Sequence, residues 1–242
     1  MRTVRIHVSE SLSAESEMTL PEDASHHVLR VLRLRPGNRL VLFNGDGLEY
    51  PAEILHADPR RECRVRLDAP DRPAVESLLD VTLVQAIGRG ERMDWCIQKS
   101  TELGVHRIQP VFTARTEVRL EPRRAEKRLR HWRQIAVSAA EQSGRVRVPN
   151  IDLPLGLSDL GPPHGLGLFL HPHGTHRHCD LKASPTSVFS VVIGPEGGLN
   201  NDETRQLERL GYQGLRLGPR ILRTETAGPA VLAMLQTRFG DW

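Results

Sequence analysis

The sequence has few cysteines and few aromatic side chains, and both shortages exclude kinds of protein. Its three cysteines, Cys63, Cys96 and Cys179, lie far apart and form no Cys-x-x-Cys pair. An odd, scattered set of this kind argues against a disulfide scaffold and favours a reducing compartment. Aromatic residues make up only 4% of the chain, so we expect no aromatic platform for stacking nucleic-acid bases.

Long apolar runs and the common phosphate-binding motifs are also missing. No apolar run approaches the length that crosses a membrane. The first eight residues alternate like a strand and lack the apolar core of a signal peptide. Neither Gly-x-Gly-x-x-Gly nor Gly-x-x-x-x-Gly-Lys-Ser/Thr occurs. We therefore expect a cytoplasmic protein that is not membrane-bound and contains neither of these phosphate loops.

Positive charge is concentrated in two segments, although the whole chain carries a formal charge of only +3. Residues 26–39 contain four arginines and no acidic residue, and residues 115–147 contain ten Lys/Arg against four Glu. Two such segments are typical of an electrostatic surface for nucleic acid, although each alone could equally be a solvated helix face. The candidate nucleic-acid contacts are Arg30, Arg33, Arg35, Arg124 and Arg145.

Residues 1–72 have the pattern of a small β-rich module with one helix. The helix is predicted over Ser25–Arg33, with Val28, Leu29 and Leu32 on its core face. Turn-forming residues separate the strands, and Pro70–Pro73 is typical of a linker. The predicted strands are Val4–Val8, Arg39–Phe43, Tyr50–Ala57 and Cys63–Ala69.

From about Leu78 strands and helices alternate, which predicts an α/β domain with a parallel sheet over residues 73–242. Val81–Ile87 is a nearly continuous apolar run, as in a strand covered on both faces. The other predicted strands are Ile108–Phe112, Gly165–His171, Ser187–Ile193 and Leu215–Leu217. The predicted helices are Glu91–Leu103, Glu121–Gln142, Asn201–Leu210 and Thr226–Phe239.

Three of the predicted strands end in unusual loops. The loops are Leu170–Pro172, Gly194–Gly198 (Gly-Pro-Glu-Gly-Gly) and Leu217–Ala227. Because ligands of open α/β sheets bind at the carboxyl ends of strands, these loops predict a shared binding site. Glycines would allow their backbone to approach a ligand closely. Taken singly, each loop could be structural, and the Arg-Thr-Glu-Thr run could simply cap a helix.

The second and third loops, in this order, closely resemble the SPOUT superfamily of RNA methyltransferases. Within it the sequence is most similar to the RsmE family, which methylates N3 of a uridine in small-subunit (16S) ribosomal RNA. The resemblance covers essentially the whole chain, and implies a PUA-like β-barrel over residues 1–72, a SPOUT α/β domain with a C-terminal trefoil knot over residues 73–242, and a homodimer. Further matching segments are His26–Arg33, Arg92–Trp95, Gln98–Gly104 and Glu141–Arg145.

The resemblance also implies a site for S-adenosylmethionine and a 16S ribosomal RNA or small-subunit substrate, with no metal requirement. Glu196 and Arg223 are the implied catalytic residues: Glu196 is a base or a support for its turn, and Arg223 is a cation beside a uracil oxygen or a phosphate. Simpler alternatives pair Arg223 with Glu225, and Arg145 with Glu141. The implied cofactor-binding residues are Leu170, His171, Gly194, Pro195, Glu196, Gly197, Leu217, Gly218, Ile221, Leu222, Arg223, Thr224 and Ala227.

By the same resemblance, Gly194, Gly197 and Gly218 lack side chains because a Cβ would collide with the cofactor or with the threaded backbone. Two positions depart from the family pattern. The loop Thr113–Val118 has an unexpected sequence that leaves its role open, and Leu199 replaces a common aromatic residue.

Two interpretations from other functional classes remain open. One is a non-catalytic RNA-binding protein with a vestigial cofactor pocket, against which the intact turns argue. The other is a metal hydrolase at His171–Cys179, where four histidines and a cysteine could hold zinc or nickel. That tract matches no fixed zinc spacing and shows no paired general base, so we expect no physiological metal site.

Overall fold

The computed structural model describes residues 3–58, 62–117, 122–184 and 186–242, without the side chains of residues 122–124. The chain divides into two compact units, Met1–Glu76 with Ala140–Val148, and Ser77–Ala139 with Pro149–Trp242. The predicted limits, 1–72 and 73–242, do not include residues 140–148 in the first unit. No change in composition marks those residues, because the first of them continue a helix that begins in the second unit.

A five-stranded sheet forms the centre of the first unit. Its strands are β1 (Arg5–His7), β2 (Glu17–Thr19), β3 (Arg39–Phe43), β4 (Tyr50–Asp58) and β5 (Glu62–Leu67). They lie in the order β1-β3-β4-β5-β2, with β1 parallel to β3 and the other neighbours antiparallel. Alternate side chains such as Ile6, Leu42, Ile54 and Val65 fill one core. The four predicted strands are confirmed with small differences at their ends, whereas β2 was not predicted.

The helix of the first unit differs from the prediction. It begins earlier, as α1 (Glu22–His26), and continues as a π-helical turn over His27–Val31. The backbone N–H of Leu32 donates to the carbonyl of His27, five residues back, at 2.9 Å. This wider turn changes the angular spacing of the side chains. Val28 is buried as predicted, but Leu32 is 37% exposed and does not lie on the core face.

The second unit is built on a parallel sheet, as predicted. Its strands are β6 (Asp80–Ala86), β7 (Arg107–Phe112), β8 (Asn150–Ile151), β9 (Leu155–Gly156), β10 (Leu166–Leu170), β11 (His176–Arg177), β12 (Val188–Ile193) and β13 (Gln213–Arg216). The order is β11-β13-β10-β12-β6-β7-β8, and β9 pairs with the end of β7. In β6, neighbouring residues Leu83 and Val84 are both buried, so this strand is covered on its two faces.

Four α-helices of the described residues belong wholly or mainly to this unit: α2 (Arg92–Glu102), α3 (Pro122–Ser143), α4 (Asn201–Arg209) and α5 (Thr224–Phe239). The N-terminus of α4 is held by a capping box, in which Asn200 and Glu203 accept each other's backbone N–H. Val231, Leu232 and Leu235 of α5 are fully buried, and α5 packs against α2, β6 and β12. None of the helices in the described ranges has the length and apolar character needed to cross a membrane.

Candidate active site

The three unusual loops meet at one cavity of the second unit. Strands β13, β10 and β12 are neighbours in the parallel sheet, so their carboxyl ends lie side by side. The loops that follow them enclose a cavity of about 590 Å³, which is within the usual range for small-molecule sites. The structure thus places the loops together as the strand-end rule predicts.

Nearly all of the predicted cofactor-binding residues line this cavity. They are Leu170, His171, Gly194, Pro195, Glu196, Leu217, Gly218, Ile221, Leu222, Arg223, Thr224 and Ala227. Gly197 is the exception. Its carbonyl accepts a hydrogen bond of 2.7 Å from Arg115, and a Cβ at this position would lie 3.2 Å from the Arg115 side chain. Gly197 is therefore packed against a neighbouring loop and does not face the cavity.

The glycines of the cavity have different reasons to lack a side chain. A Cβ at Gly218 would meet no heavy atom within 4 Å, so this backbone opens onto free space. A Cβ at Gly194 would lie 3.1 Å from the Leu199 side chain and 3.3 Å from its backbone nitrogen. A Cβ at Gly194 would therefore be crowded by the turn itself, and its collision with a cofactor stays a prediction. Gly198 has a φ of +70°, which favours glycine.

Sequence reasoning missed several residues of the cavity wall, of which Arg92 matters most. Arg92 is the first residue of α2, which follows β6, and β6 is the direct neighbour of β12. The same strand-end rule would have included this segment. The other cavity residues outside the three predicted loops are His173, Ile193, Leu199, Leu215 and Arg216, whereas Pro172, Gly198, Arg220 and Glu225 lie within those loops but were not singled out as cofactor-binding residues.

Glu196 is held by two arginines of the segment that follows β6. Its Oε1 accepts a hydrogen bond from Nη1 of Arg92 at 2.5 Å and one from the backbone N–H of Arg89 at 3.1 Å. Burial acts to raise the pKa of Glu196, but the hydrogen bonds from its own backbone, from Arg92 and from Arg89 outweigh burial and lower the pKa below 4.5. Glu196 is therefore ionised at neutral pH and is a weak base.

Arg223 does not pair with Glu225, so the simpler alternative for this arginine is wrong. Glu225 lies instead beside Arg92, with 3.8 Å between its Oε1 and Nε of Arg92. Arg223 is exposed at the cavity, and no ion pair of its guanidinium is found among the described residues. Its positive charge is available to a ligand or a substrate.

The loop after β7, whose role the sequence left open, supports the Gly194–Gly198 turn. In addition to the Arg115 bond to Gly197, the backbone N–H of Ala114 donates to Glu203 at 2.7 Å. Glu203 belongs to the capping box of α4, the helix that follows the turn. The loop, the turn and the helix are therefore joined by hydrogen bonds; Val118 lies outside the described residues.

Comparisons with known proteins identify the family of this chain. Residues 75–236 match the family described as "RNA methyltransferase domain", and residues 20–68 match "RNA methyltransferase PUA domain". The ribosomal RNA small subunit methyltransferase E of Buchnera aphidicola subsp. Acyrthosiphon pisum is 31% identical over 98% of this chain and 94% of its own length. The chain belongs to the ribosomal RNA small subunit methyltransferase E family.

Two solved structures resemble the whole chain. A methyltransferase of Legionella pneumophila, in complex with bound SAM, is 37% identical and has a TM-score of 0.95, and the match covers 100% of each chain. The ribosomal RNA small subunit methyltransferase E of Neisseria gonorrhoeae, bound to S-adenosyl methionine, is 36% identical with a TM-score of 0.91 and the same full coverage. The resemblance to methyltransferases seen in the sequence is confirmed.

The histidine tract of the methyltransferase domain is divided by the fold. His171 and His173 line the cavity, whereas His176, His178 and Cys179 do not. Across the described ranges, no group of three or more His, Cys, Asp or Glu side chains is placed to hold a metal ion. This geometry gives no support to the metal-hydrolase interpretation.

The predicted RNA contacts fall into different environments. Arg30, Arg33 and Arg35 are all exposed on the first unit, and we refer to them as the N-terminal arginine cluster. The structure corrects the prediction for Arg145, because its side chain is only 7% exposed and pairs with Glu76 at 2.7 Å. This buried ion pair with Glu76 replaces both the predicted RNA contact and the alternative pairing with Glu141. The side chain of Arg124 lies outside the described part of the chain.

Proposed function

We propose that this methyltransferase transfers a methyl group from S-adenosylmethionine to N3 of a uridine in 16S ribosomal RNA. The observation that carries the proposal is the cavity formed by three strand-end loops, in a chain that resembles structures solved with that cofactor along its full length. The site of methylation, N3 of uridine, rests on the resemblance of the Gly194–Gly198 and Leu217–Ala227 motifs to the RsmE family.

The residues present fit this cofactor. Gly218 opens onto free space, so the backbone of the Leu217–Ala227 loop can approach a flat ring without obstruction. Apolar side chains such as Leu199 and Leu215 line the same cavity, as is usual for sites that enclose a small molecule. When bound, S-adenosylmethionine supplies a methyl group on a positively charged sulfur. The residues listed above as lining the cavity would hold it.

The protein's own residues would act mainly by positioning. Methyl transfer is an in-line displacement, and holding two reactants in line can supply most of the rate. We propose that Glu196 keeps its turn in place through Arg89 and Arg92, since its lowered pKa does not favour proton removal from N3. Arg223 would stabilise the negative charge that develops on a uracil oxygen, or contact a neighbouring phosphate.

Three finer features of the fold and the RNA surface belong to the same proposal. We infer that the second unit, which lies within the predicted limits 73–242, is a SPOUT domain with a C-terminal trefoil knot, and that residues 1–72 form a PUA-like barrel. The five-stranded sheet of the first unit supports the latter. The N-terminal arginine cluster would contact RNA phosphates.

A homodimer is also part of the proposal, although the apolar residues of α5 give it no support. Val231, Leu232 and Leu235 are buried within a single chain, so they do not need a partner. The proposal rests on the resemblance and on the frequency of two-fold dimers among soluble enzymes. Sedimentation at micromolar concentration should give a species of twice the 27.1 kDa chain mass; a fully active monomer would contradict it.

A calorimetric titration tests the proposed function against both rival interpretations. We expect S-adenosylmethionine to bind with a stoichiometry of one per chain, and zinc to bind only weakly or not at all. Absence of S-adenosylmethionine binding would favour the non-catalytic RNA-binding protein. Tight zinc binding that is abolished by substitution of His171 would favour the metal hydrolase.

A further inference from the structure

We infer that Gln85 is a positioning residue for methyl transfer, although it does not line the cavity. It acts through Thr224, which joins the first turn of α5 to the carboxyl end of β12. The inference rests on the proposed function, because it concerns the same cavity. It adds a residue from the interior of the sheet to the loops that form the site.

A chain of two hydrogen bonds connects β6 to both principal loops of the cavity. Gln85, on β6, is 1% exposed. Its Nε2 lies 2.9 Å from Oγ1 of Thr224, and this Oγ1 lies 2.8 Å from the carbonyl oxygen of Gly194. Thr224 lies within the Leu217–Ala227 loop and is the first residue of α5, and Gly194 begins the Gly194–Gly198 turn.

The direction of each hydrogen bond is fixed by the chemistry of the groups. The carbonyl of Gly194 can only accept, so the single proton of the Thr224 hydroxyl points to it. The hydroxyl can then only accept from Gln85, which must present its N–H₂ group. The other end of that amide, Oε1, faces Sγ of Cys96 at 3.2 Å, and a thiol donates to it. Only one orientation of Gln85 satisfies both neighbours.

The close packing of α5 against β6 and α2 allows Gln85 to contact Thr224. A Cβ at Gly228, one helical turn beyond Thr224, would lie 3.2 Å from both Gln85 Oε1 and Cys96 Sγ. The absence of a side chain at Gly228 lets α5 approach β6 near enough for the bond between Gln85 and Thr224. Because Gln85 is almost fully buried and does not line the cavity, losing its partner would leave a buried polar group unsatisfied.

The role of Thr224 in the cavity changes as a consequence. It was predicted as a cofactor-binding residue, and it does line the cavity. Its hydroxyl is nevertheless engaged by Gly194 and Gln85, so it has no proton to donate to a ligand. Removing the Gln85 amide would leave the Thr224 hydroxyl bonded to Gly194 alone, and would break the hydrogen bond that ties this pair to β6. Small displacements of the pair relative to β6 would reduce both binding and rate.

The test measures S-adenosylmethionine affinity by calorimetry, and stability by denaturant unfolding, in the full-length protein. Gln85→Met removes the amide at similar volume, Thr224→Val removes the hydroxyl, and Thr224→Ser keeps it. Gln109→Met is the matched control. Gln109 is also a buried glutamine, on the next strand β7, and its Nε2 donates to the carbonyls of Pro110 at 3.0 Å and Leu153 at 2.9 Å, but it does not line the cavity.

We expect Gln85→Met and Thr224→Val each to weaken binding about tenfold, because each breaks the hydrogen bond between Gln85 and Thr224 and leaves a buried polar group without this partner. The double variant should be hardly weaker than either single variant, because both break the same chain of bonds. Thr224→Ser should recover most of the affinity. Gln109→Met should lower stability while its affinity stays within about twofold of the wild type.

Three results would overturn the inference. Gln85→Met could bind as tightly as the wild type, Gln109→Met could lose as much affinity as Gln85→Met, or the effects of Gln85→Met and Thr224→Val could add. If Gln85→Met does not fold, the comparison of Thr224→Val with Thr224→Ser decides, since equal affinities would refute a role for the hydroxyl. Failure of the wild type itself to bind S-adenosylmethionine would instead refute the proposed function, and the inference with it.

Discussion

Substitution of Gly218 by valine should block the cavity without unfolding the protein. The Cβ position of Gly218 has no heavy atom within 4 Å, and its φ lies outside the left-handed region. The new Cβ therefore meets no protein group, and we expect the free energy of unfolding to change by less than about 0.5 kcal/mol, as for other open positions. The side chain would instead occupy part of a cavity of about 590 Å³ that the ligand needs.

The expected loss of affinity follows from that occupation. Forcing extra methyl groups into filled space costs about 1–3 kcal/mol in protein interiors, and the same cost in binding weakens the Kd about 5- to 150-fold. Calorimetry with S-adenosylmethionine measures this loss directly. Gly161→Val is a suitable control, because Gly161 is equally open and lies away from the cavity. A folded Gly218→Val variant with normal affinity would show that the cofactor lies elsewhere.

Three further predictions follow from the charges. Neutral replacements in the N-terminal arginine cluster should weaken RNA binding and leave cofactor affinity unchanged. Each replacement should reduce the salt dependence of RNA binding by about one phosphate contact. An unaltered salt slope in filter binding would make the cluster a solvated surface. Arg145→Met should lower the free energy of unfolding by about 2 kcal/mol, because Glu76 loses its ion-pair partner and, among the described residues, keeps only the backbone N–H groups of Val146 and Arg147. The salt slope of RNA binding should not change; a neutral effect in urea unfolding would contradict the burial. Because the pKa of Glu196 in the folded protein is lowered from 4.5, its carboxylate stabilises the fold at pH values above 4.5. This contribution is lost as the pH falls through the pKa of the folded protein. The stability difference between wild type and Glu196→Gln should thus be constant above about pH 5 and shrink below it; a difference that grows with acid would contradict the assignment.

The elements of the cavity were accessible to sequence reasoning because their signals are local. β12 is an apolar run that ends in Gly-Pro-Glu-Gly-Gly, and the alternation of strands and helices predicts a parallel sheet. Parallel strands bring their carboxyl ends to one edge, so three loops distant in sequence could be assigned to one site. The roles of the site, by contrast, came from resemblance to a family, since no spacing rule identifies this cofactor.

The parts that sequence reasoning missed depend on contacts between distant residues. The Gln85 bond to Thr224 spans 139 positions, and neither residue type signals the other. Arg145 belongs to a basic segment, but its environment is set by Glu76, 69 positions away. Leu32 left the predicted core face because of a π-helical turn, which shifts every later side chain and has no clear signature in the residues themselves.

The position of the transferred methyl group tests the central claim most directly. Small ribosomal subunits that lack the modification would be incubated with the protein and S-adenosylmethionine carrying a labelled methyl group. The 16S RNA would then be digested to nucleosides, and these would be separated by chromatography against authentic methylated uridines, because the isomers share one mass. We predict one labelled methyl group per RNA, found in 3-methyluridine, and much less label with the Gly218→Val variant at a cofactor concentration near the wild-type Kd. Label in any other nucleoside, or no transfer by a protein that binds the cofactor, would contradict the account.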